Sequence, residues 1–213
     1  MINSELRGYC EEHILPQYDH YDKGHGRAHI DEVVTGAAQL ARRYDVDCDM
    51  IYAAAIFHDL GLVEGRELHH MTSGRMARED RFLISFFSAS QLETIAQAIE
   101  DHRASNPNPP RTIYGEIISS ADRRVDIDTI IMRAYYYRSS HLEELGLATI
   151  IDEIHRHISA KYGESGYVKI PILTISNGRN LSRLRTLLGD VETFKAYCAE
   201  VIARNVELAN VEL

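Results

Sequence analysis

Cysteine is scarce in this chain, and the three present, Cys10, Cys48 and Cys198, lie too far apart for any CxxC pairing. That distribution fits a reducing cytosol better than a disulfide framework, so the thiols are expected in the core of a cytoplasmic protein. No apolar run approaches the roughly 18 residues of a membrane span, and no n-region followed by a hydrophobic stretch opens the sequence. Neither membrane crossing nor secretion is expected. Positive charge is short as well: 23 Lys and Arg stand against 32 Asp and Glu, a formal charge of -9. The balance argues against general duplex binding but leaves room for a small anionic ligand held locally. Pro/Gly/Ser-rich linkers, internal repeats and low-complexity segments are all absent, so residues 1–213 are read as a single domain.

What the chain does have is an odd hydrophobic run, IYAAAIFHDLGL, over residues 51–62. Ile51, Ala54, Ala55 and His58 fall at i, i+3, i+4 and i+7, so at helical period the imidazole points toward the core. Asp59, about 100° further round, borders the same face. Burying a carboxylate beside an imidazole costs several kcal/mol unless both are paired, and a metal ion is one of the few partners that satisfies both. The glycine at 61 is expected to end this helix.

Other segments supply similar residues. A first helix is expected over residues 4–15, ended by Pro16, followed by a loop over 18–26 that delivers GHGRAHI. Residues 27–44 keep helical spacing, with His29 at the edge of the apolar stripe and His25 four residues earlier. An acidic break over 45–49 is placed to cap the central run. His69 and His70 open MTSGRMARED, whose Gly74 and Ala77 suit close helix contact. Ser90 and Glu93 read as a capping box for a helix with Leu92, Ile95, Ala96 and Ile99 inward and His102 on the same stripe. SNPNPP, residues 105–110, is a rigid loop expected at the rim of the site. Beyond it Ile117, Ile118 and Ala121 point inward with Asp122. Helical patterns over 127–137, 147–162 and 191–208 read as scaffold. Pro171 demotes the strand-like 167–175 segment to an edge strand or an extended loop. The fold class is all-α.

His29, His58, Asp59, His102 and Asp122, with His69 or His70, make the donor set of an open metal site. Imidazole and carboxylate suit Mn, Fe, Zn or Mg, and the lack of cysteine disfavours a closed structural zinc site. The order His29, FHDLG, His70, His102, Asp122, in its GHGRAHI, IAQAIEDH and SSADRR contexts, resembles the HD superfamily of metal-dependent phosphohydrolases. The likeness spans residues 18–128. It implies a compact helical HD domain with an additional helical extension over 129–213.

Carried over by position, the resemblance implies that His29, His58, Asp59 and Asp122 hold one ion. His70 and His102 look like the ligands of a second, with the Asp59 carboxylate bridging as the central catalytic group. His70 is preferred to His69 because HMTSG is similar to the H-x-x-x-G pattern of the HD-GYP branch. Leu62 stands where that branch has lysine, and no GYP segment follows, so a cyclic-dinucleotide phosphodiesterase is not implied. Two divalent ions (Mn, Fe, Mg, Ni or Zn) would activate water against a small phosphoester or nucleotide. His25, Arg27, Arg103, Arg123 and Arg124 are the candidates for gripping its phosphate. The same ligand order also resembles myo-inositol oxygenase, a diiron enzyme, and a non-catalytic sensing domain is the third reading.

Overall fold

The structure, a computed structural model, describes residues 2–22 and 24–211, and among them the side chains of all but 142, 143 and 207–211. Every regular element among the described residues is helical, and the chain forms two compact units. The first comprises residues 1–123 with 169–172; the second comprises 124–168 and 173–213.

In the first unit, α1 (Ser4–Tyr9) starts at Asn3, whose side chain accepts from the Glu5 N–H. Proline does not end the chain's helical course as expected. A π turn (Cys10–Ile14) leads into a 3-10 turn (Leu15–His20), and Pro16 sits in its first turn, where a missing N–H is no loss. The coil keeps Leu6, Cys10, Ile14 and Tyr18 buried in succession.

The post of this unit is α3 (Cys48–Phe57), begun by Asp47, which accepts from the N–H groups of Asp49 and Met50. Every residue from Met50 to Phe57 is buried, because α2 (Arg27–Ala41), α6 (Ala89–Asp101) and α7 (Ile113–Asp122) all pack on it. A helix apolar on all sides belongs in such a place. It stops at His58, before the expected glycine. Asp59 leaves helical geometry at φ -108°, ψ 2°, and a 3-10 turn (Leu60–Glu64) follows.

Gly61 therefore has a different task. A Cβ there would collide with the His69 carbonyl oxygen and lie 2.6 Å from the Ser73 nitrogen, both main-chain atoms of α4 (His69–Glu79). The Gly61 N–H also donates to Ser73 Oγ at 2.8 Å. Gly61→Ala should thus push the start of α4 away, costing about 1–3 kcal/mol as an overpacked contact. Thermal melts and metal titration check this; an unchanged melting temperature with full metal content would refute the close-approach role.

After α4 come α5 (Arg81–Phe86), capped by Asp80, and α6. The capping box of α6 is Ser88 with Gln91 rather than Ser90 with Glu93: Ser88 Oγ accepts from the Gln91 N–H, and the Gln91 side chain accepts from the Ser88 N–H. Glu93 instead joins Arg78, which also pairs with buried Glu100. Arg111 bonds Glu100 and Asp101, so two buried carboxylates at the end of α6 are neutralised from α4 and from the loop that follows. Asn106 of that loop donates to the Glu100 carbonyl. These ties hold the His102 end of α6 in place.

In the second unit, α8 (Ile127–Arg138), α9 (Leu142–Tyr162), α10 (Ile175–Gly189) and α11 (Val191–Val211) pack in pairs. Gly146 at φ +73° breaks α9, so its regular part begins near 147. Helix α10, capped by Thr174, has no counterpart among the expected helices. The expected 167–175 segment is a loop up to residue 174, where α10 takes over, and its residues Lys169–Ile172 belong with the first unit, where the Ile172 N–H donates to Ser120 Oγ.

Candidate metal centre

Five helices bring the donors together. His29 comes from the first turn of α2, His58 and Asp59 from the end of α3, His69 from the start of α4, His102 from the end of α6 and Asp122 from the end of α7. Helix ends suit this purpose, because the backbone changes direction there and lets neighbouring residues aim at one point.

The two carboxylate oxygens of Asp59 face different neighbours. Oδ2 lies 3.6 Å from His29 Nε2 and 3.4 Å from His58 Nε2. Oδ1 lies 3.4 Å from His69 Nε2 and 3.5 Å from His102 Nε2. His69 and His102 bring their Nε2 atoms within 3.2 Å, and Asp122 Oδ1 is 3.3 Å from His29 Nε2. Donors about 2.1 Å from a common ion at tetrahedral or octahedral angles stand roughly 3.0–3.4 Å apart, so both groups have the spacing of a ligand set. The donors are oxygen and imidazole nitrogen throughout, which suits divalent first-row ions and magnesium.

Local bonding aims the rings. His58 Nδ1 is 2.8 Å from the Ala55 carbonyl, His69 Nδ1 2.8 Å from that of Arg66, and His102 Nδ1 2.5 Å from that of Ile99. A carbonyl only accepts, so each Nδ1 carries the proton and each Nε2 turns a lone pair to the centre. The Nε2 of His58, fully buried, makes no hydrogen bond. A buried imidazole nitrogen that faces a carboxylate at 3.4 Å without a hydrogen bond is suited to share a cation with it.

The electrostatics agree. Burial opposes charge on His58, yet Asp59 beside it wins and raises the ring's pKa to about 9. Asp59 itself is held well below the usual carboxylate range: burial acts against this, but His58 and His102 outweigh it. Asp122 is lowered likewise, by His29 and His58 against the cost of burial. With no metal, the pocket draws in a proton to balance its carboxylates, so it is built for positive charge.

The structure turns His69 toward the centre in the place where the sequence pattern favoured His70. Residue 69 opens α4 and its Nε2 meets Asp59, whereas His70, one step round the helix, is buried with Nδ1 unbonded. Burial, with the charges of His102 and Arg103, pushes the His70 pKa down to about 4. Sequence spacing alone could not separate the neighbours, because the choice depends on where α4 starts.

The expected anion-binding residues divide. Arg123 is buried and spends its guanidinium on main-chain carbonyls, those of His102 and Lys169, so it positions the His102 turn and does not face a substrate. Arg27 is paired with Asp19 at the surface. Arg103 is half-buried, makes no ion pair with any described residue, and its charge bears on His69 and His70. Arg124 opens the second unit. His25 packs its ring edge-on to His29, with centroids 6.1 Å apart. Three contributors escaped the sequence reading: Arg66, and the tyrosines that brace the turn. Tyr18 donates to the Ile56 carbonyl and Tyr21 to that of Leu60, both at 2.6 Å. The only signals were aromatic residues in a polar loop and a charged stretch, VEGREL, between two ligand segments.

An all-helical unit with histidines and aspartates converging from helix ends defines a class of metal-centred α-helical proteins. Residues 27–125, a little under half of the chain, match the family model of the HD domain. Among solved structures it aligns with a predicted HD superfamily hydrolase from an uncultured Thermotogales bacterium, at 20% identity and a TM-score of 0.49, covering 92% of this chain and 91% of that one. No curated protein matches the sequence. No helix among the described residues is long and apolar enough to cross a membrane.

Proposed function

We propose that this protein is an HD-type metal-dependent phosphohydrolase acting on a small anionic phosphoester or nucleotide with two divalent ions. The observation that carries the reading is the division of Asp59, with Oδ2 toward His29 and His58 and Oδ1 toward His69 and His102. One carboxylate shared by two donor groups is the arrangement a binuclear hydrolytic centre needs. In this assignment His29, His58, Asp59 and Asp122 hold one ion, and Asp59, His69 and His102 the other. Bound there, the ions would supply Lewis acidity and an activated water for in-line attack at phosphorus.

The chain's own contribution is to orient and to exclude. The main-chain carbonyls of residues 55, 66 and 99 hold three imidazoles in the ligating tautomer. Tyr18 and Tyr21 keep the turn at Asp59 from relaxing. Arg103 offers an unpaired charge for the substrate's phosphate.

Anaerobic purification with elemental analysis, then a phosphoester panel with Mn, Mg, Ni or Fe restored, tests the proposal. About two equivalents of metal and metal-restored phosphate release are expected. Iron accompanied by dioxygen consumption and no phosphate release would overturn it in favour of chemistry like that of myo-inositol oxygenase.

A further inference from the structure

The loop between the 3-10 turn and α4 carries a residue that touches one ligand of the centre and the neighbour of another. The Arg66 carbonyl accepts from His69 Nδ1 at 2.8 Å, while its guanidinium NH2 lies 2.9 Å from His25 Nε2. His25 in turn places Nδ1 2.9 Å from Asp22 Oδ1, and its ring lies against His29. The same guanidinium nitrogen lies 3.4 Å from His25 Nδ1, so it rests against the face of the imidazole. Asp22 holds that ring through Nδ1, which carries the proton because a carboxylate only accepts. Arg66 is thus steadied by a ring that Asp22 itself fixes.

This differs from the other arginines of the first unit that have carboxylate partners, such as Arg27, Arg75, Arg78 and Arg111. Among the described residues Arg66 has no carboxylate within 4 Å, although Asp22 feels its charge, and its remaining N–H groups bond to none of them. Gly65, at φ +114° and ψ 160°, occupies backbone space essentially reserved for glycine and sets the path of the chain into Arg66. A guanidinium is thus held against His25, the neighbour of the ligand His29, with no carboxylate within 4 Å among the described residues and part of its planar fork open. That is the geometry for paired hydrogen bonds to phosphoryl oxygens.

We propose that Arg66 grips the substrate's phosphoryl group, and that Asp22 and His25 are positioning residues that hold its guanidinium at the centre. The inference rests on the phosphohydrolase reading for its substrate, but its test uses inorganic phosphate as the probe. Calorimetric titration of phosphate into the Mn-loaded protein should show Arg66→Gln weakened about tenfold or more, the loss expected for charged hydrogen bonds. Arg66→Lys should fall between the two, since an ammonium cannot present the fork. The bond to His69 comes from the main chain, so these variants should keep full metal content and the wild-type melting temperature. His25→Ala should weaken phosphate binding less than Arg66→Gln, and adding it to Arg66→Gln should cost nothing more.

Arg66→Gln with wild-type phosphate affinity would overturn the proposal and leave the hydrolase reading standing. So would a wild-type protein that holds its ions yet binds no phosphate. If His25→Ala and Arg66→Gln losses add independently, the positioning role of His25 falls. Phosphate binding that depends on Arg66, together with no hydrolysis across the ester panel, would instead retain the anion grip and remove the phosphohydrolase assignment.

Discussion

Asp59→Ala is expected to lose both ions at once, a larger effect than removal of any histidine. Its oxygens serve both donor groups, so the variant leaves His29, His58 and Asp122 on one side and only His69 and His102 on the other. The charge lost is half of the carboxylate charge in the centre, and what remains around the second position is imidazole only. Elemental analysis should fall from about two equivalents to near none. Loss of several kcal/mol of charge stabilisation corresponds to a drop in turnover of about a thousandfold or more. The melting temperature should also stop responding to added metal, since ligand-linked stabilisation requires binding. Retention of two equivalents would defeat the bridging assignment.

The same substitution has a readable effect in the metal-free protein. Asp59 does most to lift His58 to about 9 against burial, so without it only Asp122 and the Ala55 carbonyl oppose burial and the ring should titrate below that. A histidine whose folded pKa is raised adds stability below its unfolded value near 6.5, and the contribution disappears as pH rises through the folded value. The chelated wild-type protein should therefore lose stability between about pH 6.5 and 9, and chelated Asp59→Ala should show a smaller decline. Denaturant melts across the interval measure the difference.

The second large effect separates His69 from His70. His69→Ala should lose one equivalent of metal and keep the other, because the first ion retains His29, His58, Asp59 and Asp122. His102→Ala should behave in the same way. His70→Ala should keep both equivalents and show its cost in stability, since a buried ring is removed from the packing of α4. A His70→Ala variant that drops one equivalent while His69→Ala keeps two would reverse the assignment.

Much of this was legible before any coordinates. The all-α class followed from helical periodicity, and the convergence of His29, His58, Asp59, His102 and Asp122 was signalled by polar residues on or beside apolar stripes. Periodicity works there because a buried stripe is a local property of the helix. It failed where composition hid the pattern: α10, rich in Asn, Ser and Arg, offers only Leu184 and Leu188 to its core, together with Asn177. It failed again at the cap of α6, where Ser88 and Ser90 both head plausible boxes and packing chose the first.

Sequence by itself determined which segments are helices and which residue types gather inside them, since both depend on spacing along one element. Tertiary structure alone decided how those residues are used. Asp59 shares its oxygens because α3 ends at His58, and His69 faces inward because Gly61 lets α4 begin against the turn. Arg123 became a clamp on the His102 carbonyl, while Arg66, in an unremarked loop, came to lie against His25. The physical reason is that a side chain's aim at a helix end depends on backbone torsions and on the contacts of neighbouring elements, and neither repeats at any period in the sequence.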